Sequence, residues 1–569
     1  MNAPISRARL AASAVVTAGL CLAGTAALST SSQAAEGVCD TPTDISTLAA
    51  GDAVHGLTTV SGTQPDPFTG SVLGVIQDGV EPGVDLVMAT LSSDDIDASG
   101  IWEGMSGSPV YAADGSLIGA VSYTLAWGPT PIAGITPWQD MSKYAGQLPV
   151  NVSLREGAAR TIAGSSSVTQ TEASEGFHEL EAPAVVAGVS QRVVDNERTR
   201  PYLSKAVAAA GHTSVESSLA DMVAGGNLVA TMSTGDVTIG GLGTITSVCA
   251  DRVVGFGHPM NFAGRTSYGL AGASALYIQG DPLGSAFKVA NIGTLLGTID
   301  QDRMTGISGP LGPLPPSTTI TSTVHYDNGE TTGDRTGETD VQLPDATAEA
   351  AYYELVENHE AAIDAYGPGG EDQSWTITGH TATAPFTLTG GNLYADKYSI
   401  ADGASYDVPD LLWALTRLDN VHVESVDVQS NVNDDTSRLK IVGVQQKRAG
   451  SWVDVNRRHP ATFRAGRTAV MRLVLKGGRT QRFAIDVPAR ARGLEGEVFV
   501  SGGSGYPFER GGLGSFTKIK AAVENMTRND QAQVQFVAFG KRSLVRVRTT
   551  TPPAGTVLTG SQDVAVRIK

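Results

Sequence analysis

Short runs of β-branched and aliphatic residues, broken by Gly, Pro and Asp, recur along most of the chain. Over residues 51–136, runs such as Ser71-Val72-Leu73-Gly74-Val75-Ile76 and Leu117-Ile118-Gly119-Ala120-Val121 predict strands joined by tight turns. The same pattern returns over 227–309, where residues 237–246 lead into Val253-Val254-Gly255-Phe256-Gly257-His258. Between the two, a Ser/Thr-rich stretch at 164–174 predicts a linker or long loop, and residues 205–210 predict a brief helix. Asp345 is placed to cap an Ala- and Glu-rich helix running to about residue 366, which Gly367-Pro368-Gly369-Gly370 should end. Beyond about residue 372, the strict alternation of Val421-His422-Val423-Glu424-Ser425-Val426-Asp427-Val428 and the run Met471-Arg472-Leu473-Val474-Leu475 predict a β-sandwich-like accessory region. Residues 516–526 carry helical spacing before a strand at 533–537, and no tandem repeat is evident.

A length of 569 residues exceeds what one hydrophobic core supports, so several domains are expected. The pattern divides the chain into residues 1–34, a β segment 35–175, a second β segment 176–344 and a helix plus β-rich region 345–569. The 67 glycines follow no strict period, which favours turn-rich β structure over collagen or long helices. A formal charge of −18 opposes binding to a phosphate backbone or an anionic lipid surface, so nucleic acid is not an expected partner. At the N-terminus, Arg7 and Arg9 precede an apolar stretch over 10–28, and Ser32-Gln33-Ala34 offers small residues for a signal peptidase. The expectation is cleavage after Ala34 and a secreted or cell-envelope location, with a weakly apolar signal anchor as the alternative. No later segment is apolar enough to span a membrane. A lipoprotein reading through Cys21 is disfavoured by the bulky Leu20 before it. Cys39 and Cys249 then remain, and in an oxidising compartment they form either a disulfide or two separately buried thiols.

The peptide richest in chemistry is Gly104-Met105-Ser106-Gly107-Ser108-Pro109. Glycine two places before a serine allows a tight turn in which the Gly104 and Ser106 amides converge on one point, as an oxyanion hole requires. Ser106 would present its hydroxyl from the same loop. Such a loop also serves as a plain hairpin connection. Ser108 is the weaker nucleophile, because Pro109 lacks an N–H to contribute. A serine needs a base, and histidine suits that task near neutrality. Among nine histidines His258 stands out, at the end of a strand with glycines leaving room for another segment, and His55 is the runner-up. The chain offers no paired-histidine helix, Cys/His cluster or phosphate-cradling loop, so neither a metal nor another cofactor is expected.

The serine peptide, followed by Leu117-Ile118-Gly119-Ala120-Val121-Ser122, resembles the serine segment of the SpoIVB peptidases, a sporulation-associated family related to chymotrypsin-like proteases. Residues 253–260 resemble its histidine segment, and residues 296–309 resemble the stretch that follows, so the likeness covers roughly 50–310. It implies a chymotrypsin-like double β-barrel in which Ser106 is the nucleophile, His258 the general base, and the Gly104 and Ser106 amides the oxyanion hole. Here the serine precedes the histidine, the reverse of the family's order, so the two β halves would be exchanged along the chain. The family's acidic member lies shortly before the serine, where Asp94, Asp95 and Asp97 stand; position favours Asp94, with Asp85 as another candidate. No counterpart to the family's PDZ-like region is evident. The expected function is an exported serine endopeptidase acting on a protein or peptide substrate through an acyl-enzyme, with self-cleavage or a narrow substrate set. The alternative is a noncatalytic exported binding protein whose C-terminal sandwich holds a cell-envelope partner. The two readings differ on whether the Ser106 hydroxyl and the His258 ring come within hydrogen-bond reach.

Overall fold

In a computed structural model of the protein, residues 39–125, 128–142, 177–180, 184–194, 206–207, 217–281, 285–503, 508, 513–540 and 543–569 are described. The signal segment, its cleavage point and the 164–174 linker lie outside them. The first glycine-punctuated region folds into strands β1 (Ala53–Thr58), β2 (Asp66–Glu81), β3 (Val84–Ser92), β4 (Pro109–Ala112), β5 (Leu117–Leu125) and β6 (Ile132–Pro137). They pair antiparallel in the order β4-β1-β2-β3-β6-β5, and β5 pairs back with β4, closing a six-strand barrel. Phe68, Leu91, Trp102, Met105, Val121 and Ile135 fill it. β5 and β6 are buried at every residue. One face of β5 lies in the barrel, while Leu117 and Ala120 join Trp138 and Val254 in a cluster that reaches the next region. Continuous burial of this kind needs both faces covered.

The run Asp94-Asp95-Ile96-Asp97 forms a helix, α1 (Asp94–Ser99), rather than a solvated loop. The Ser93 hydroxyl accepts from the Ile96 amide as its N-cap, and three carboxylates in the first turn complement the positive end of the helix.

The second region supplies β7 (Phe177–Glu179), which pairs with β5, and then, joined by three strands from beyond residue 345, a 13-stranded sheet: β8 (Ala184–Ala187), β9 (Ala206–Val207), β10 (Asn227–Gly235), β11 (Thr238–Cys249), β12 (Arg252–Gly255), β13 (Gly264–Gln279), β14 (Phe287–Arg303), β15 (Gly306–Pro310), β16 (Thr318–Asp327), β17 (Thr332–Val341), β18 (Gly369–Thr381), β19 (Pro385–Asp396) and β20 (Val421–Asn433). Within it the pairings β10-β13-β14-β15-β12-β11 return to β10. Strands β17, β16, β20, β18 and β19 extend the sheet outward from β10. Ala206 and Val207 pair parallel with β8 instead of lying in the expected helix.

Helix α2 (Thr347–Ile363) packs on β16 and β17, its Ala350, Tyr353 and Leu355 entering the core shared with β10–β15. Asp345 does not cap it; that residue lies in a 3-10 turn, Pro344–Ala346, leading into the helix. The helix ends where Asp364 turns left-handed, at φ 55°, before the Gly-Pro-Gly-Gly run, whose last two residues open β18. The expected boundary at residue 345 therefore falls inside one sheet and one core, because β16 pairs in parallel with β20 across it. A separate core begins later: two five-stranded sheets between Arg438 and Ile568 enclose Met471, Leu473, Phe483, Val498 and Phe536 as a β-sandwich. Helix α3 (Phe516–Glu524) leaves that sandwich to stack Phe516 on Phe386, with ring centroids 4.7 Å apart. Overall the chain is mainly β, with a closed six-strand barrel and further sheets. Among the described residues no helix is long and apolar enough to cross a membrane.

Candidate active site

The serine loop is held from the second region at almost every carbonyl. Glu103 O accepts from the Lys288 amide at 3.0 Å, and Gly104 O from the Thr244 hydroxyl at 3.0 Å. Ser106 O accepts from the Thr244 amide at 2.8 Å, and Gly107 O from the Thr246 hydroxyl at 2.7 Å. Thr244 and Thr246 are two apart on β11, so both side chains face the loop. Met105 O and Ser108 O accept from the Ser108 and Val121 amides, completing the set from 103 to 108.

The amides of the same loop divide differently. Those of Glu103, Met105, Gly107 and Ser108 donate to Ala286, Trp102, Val121 and Met105. Among the described residues no acceptor is found for the Gly104 or Ser106 N–H. These are the two donors assigned to an oxyanion hole, and they belong to a loop whose carbonyls are all committed elsewhere. Gly104 and Gly107 adopt φ of 90° and 100°. A Cβ on Gly107 would stand 1.9 Å from Thr244 O and 2.6 Å from the Phe256 amide, so only glycine lets the serine loop reach the second region.

His258 arrives on the other side of that contact. β12 ends at Gly255, and Phe256 then turns left-handed at φ 67°, with the Gly257 amide donating back to Gly255 O. A bulky residue in that conformation stores backbone strain, which concentrates at functional sites. Gly257 packs on β5, where a Cβ would meet the Ser122 hydroxyl at 2.0 Å. The Ser106 loop and the His258 loop thus share Phe256, Thr244 and β5 as neighbours. His258 Nδ1 lies 2.7 Å from Pro259 O. A carbonyl oxygen only accepts, so Nδ1 carries the proton in the neutral ring and Nε2 is the basic nitrogen.

The loop beyond His258 is organised by Asp302 of β14, a residue that composition and spacing did not single out. Its buried carboxylate accepts from the amides of Met260 (2.8 Å), Asn261 (2.9 Å) and Ala263 (3.1 Å) and from the Tyr268 hydroxyl (3.0 Å). Burial, and then the Asp302 charge, push the Tyr268 hydroxyl well above the usual phenol range, so it stays a donor.

The structure brings Ser106, His258, Gly104 and the Ser106 amide to one junction. The anticipated Ser106–His258 hydrogen bond is not made: Ser106 is 0% exposed, and its Oγ has no hydrogen-bond partner among the described residues. His258 is 1% exposed. Asp94 is not brought there. It is exposed in the first turn of α1, as are Asp95 and Asp97, and the Pro259 carbonyl occupies the position at Nδ1 where a triad carboxylate would act. Asp85 sits in the β2–β3 hairpin, accepting from the Asp78 amide. His55 is exposed on β1, stacked on Tyr111 at 5.5 Å. Ser108 donates to the Thr58 hydroxyl at 2.9 Å and serves the barrel wall.

Cys39 and Cys249 form a disulfide, with Cα atoms 4.6 Å apart. It fastens the end of β11 to the segment before β1. Among the described residues no three His, Cys, Asp or Glu side chains gather into a metal-holding group. Comparison with protein-family models, curated proteins and solved structures gives no match to this chain.

Proposed function

We propose that the chain is an exported serine endopeptidase of SpoIVB type, in which the two six-strand circuits are the barrels of a chymotrypsin-like fold in exchanged order. Ser106 Oγ attacks the scissile carbonyl while its proton passes to His258 Nε2. The oxyanion is received by the Gly104 and Ser106 amides. The imidazolium then protonates the leaving amine, and water releases the acyl group by the same steps. In place of a carboxylate, the Pro259 carbonyl fixes the imidazole tautomer. The observation that carries this reading is the pair of amides at Gly104 and Ser106, without an acceptor among the described residues, in a loop whose carbonyls from 103 to 108 are all bonded. Its test is labelling of the purified mature protein by a fluorophosphonate probe, alongside cleavage of a peptide library and of the chain itself. Labelling of the wild type that disappears in Ser106→Ala and His258→Ala, with unchanged folding, is the expected result; identical behaviour of all three proteins would sink the proposal.

One observation favours a second reading, a noncatalytic exported binding protein on a protease-like scaffold. The Ser106 hydroxyl is sealed from solvent and bonded to nothing among the described residues. As a peptidase the site must open before substrate enters, so labelling should be slow and should accelerate in mild denaturant below the unfolding transition. As a scaffold it should stay silent across that range, with partner binding left to the C-terminal sandwich.

A further inference from the structure

A second concentration of polar groups lies away from the serine loop, where the turn between β10 and β11, strand β17 and helix α2 enclose a cavity of about 140 Å³. Asp236, Arg335, Glu354, Glu357 and Asn358 line it. Glu354 and Asn358 are one turn apart on α2 and only 1% and 2% exposed. Glu354 Oε2 accepts from the Thr339 hydroxyl at 2.6 Å, but Oε1 has no donor among the described residues. Asn358 Nδ2 donates to the Ser322 carbonyl (2.7 Å) and hydroxyl (2.9 Å), which fixes the amide orientation and leaves Oδ1 also without a donor among the described residues. Gly337 keeps the space between the carboxylates clear: a Cβ there would stand 2.1 Å from Glu354 Oε1 and 2.7 Å from Asp236 Oδ2.

Buried acceptors without donors are costly, and these belong to one wall of one cavity. Among the described residues, three carboxylates, Asp236, Glu354 and Glu357, face one guanidinium, Arg335, which donates to Asp236 Oδ2 at 2.9 Å. Glu357 Oε1 accepts from the Ser190 amide and hydroxyl. Among the described residues, what Glu354 Oε1 and Asn358 Oδ1 lack is a donor. We propose that this cavity binds a calcium ion through the side-chain oxygens of Asp236, Glu354 and Asn358, with water completing the shell. An all-oxygen set of mixed carboxylate and carboxamide, irregularly placed and with room for water, suits calcium better than magnesium, which demands a near-ideal octahedron.

The test uses the full mature protein, stripped with chelator and titrated with calcium chloride. Expected are saturable heat at a dissociation constant of about 1 mM or below, a rise in thermal midpoint, and slowed amide exchange at residues 350–360 and around Asp236. Glu354→Gln should weaken binding at least tenfold, whereas Ser106→Ala should leave it unchanged. Absence of heat and of a midpoint shift up to about 10 mM calcium would overturn the proposal, leaving a water-filled cavity. Equal binding by Glu354→Gln would do the same. If that variant does not fold, the wild type decides: calcium that protects some other place from exchange, and not this one, also overturns the proposal. Magnesium at equal concentration should produce a smaller shift.

Discussion

Thr246 makes one hydrogen bond that matters to the serine loop, to the Gly107 carbonyl at 2.7 Å, and both groups are buried. Thr246→Val keeps the shape and removes the donor, which should cost about 1–3 kcal/mol through the carbonyl left behind. Thr58→Val is the matched control, since Thr58 bonds Ser108 on the same barrel but touches no loop carbonyl from 103 to 107. Both variants should lower the denaturation midpoint. Only Thr246→Val should slow fluorophosphonate labelling of Ser106, by tenfold or more, because it alone loosens the loop that aims the Gly104 and Ser106 amides. Equal labelling rates would detach those amides from the chemistry. Gly107→Ala should be harsher still. Its methyl group meets the Thr244 carbonyl at 1.9 Å in a backbone conformation that side chains rarely adopt, so displacement of the loop and complete loss of labelling are expected.

Helix α2 carries a testable charge of its own. Glu349, in its first turn, is buried and accepts from the Tyr353 hydroxyl at 3.1 Å; burial pushes its carboxyl up to about 7. The unfolded chain releases that proton near the ordinary glutamate value, so between about pH 4.5 and 7 the folded state holds more protons and stability falls as pH rises. Glu349→Gln should flatten the fall, read as denaturation midpoints at pH 5 and pH 8, and the wild type should be the more sensitive of the two. The same helix shows how far sequence reading reaches. Its existence followed from an Ala- and Glu-rich run closed by Gly and Pro, and the strands from aliphatic runs between turn residues and, after about residue 372, from alternation, because these signals are local. Its cap, and the boundary drawn before it, did not follow, because parallel pairing of β16 with β20 joins residues about a hundred positions apart and leaves no local mark. The site divides in the same way. Ser106, Gly104 and His258 could be named from glycine-bracketed peptides. Thr244 and Thr246 read as ordinary strand formers, although their alternation in the glycine-rich stretch 240–246 places two hydroxyls on one face. Asp302 was hidden in a mixed run beside Asp300 and Arg303, and only the fold turns its carboxylate toward the amides after His258.

At the scale of the whole molecule, the junction between the two β regions is fixed by a covalent seam and a buried lysine. The disulfide closes a separation of 210 residues, and beside it Asp40 accepts from the Ser247 hydroxyl (2.6 Å) and, through its carbonyl, from the Trp138 indole (2.9 Å). Replacing both cysteines by serine should destabilise the protein by roughly 5 kcal/mol in the chain-entropy account, measured as a shift in denaturant midpoint. The lysine is Lys288, buried on β14, whose amide holds Glu103 and whose Nζ donates to Asn227 Oδ1 at 2.9 Å. Asn227 in turn donates across the junction to Gly62 O. Burial brings the Lys288 ammonium down to about 7, partly opposed by the charge of Asp66. An unfolded lysine keeps its proton to about 10.4, so unfolding takes up a proton between pH 7 and that value, and stability should rise with pH across this window. Lys288→Met has nothing to titrate there. Its midpoint should change less than that of the wild type between pH 7 and pH 9, and a parallel pair of profiles would show that the junction does not hold Lys288 in the neutral form.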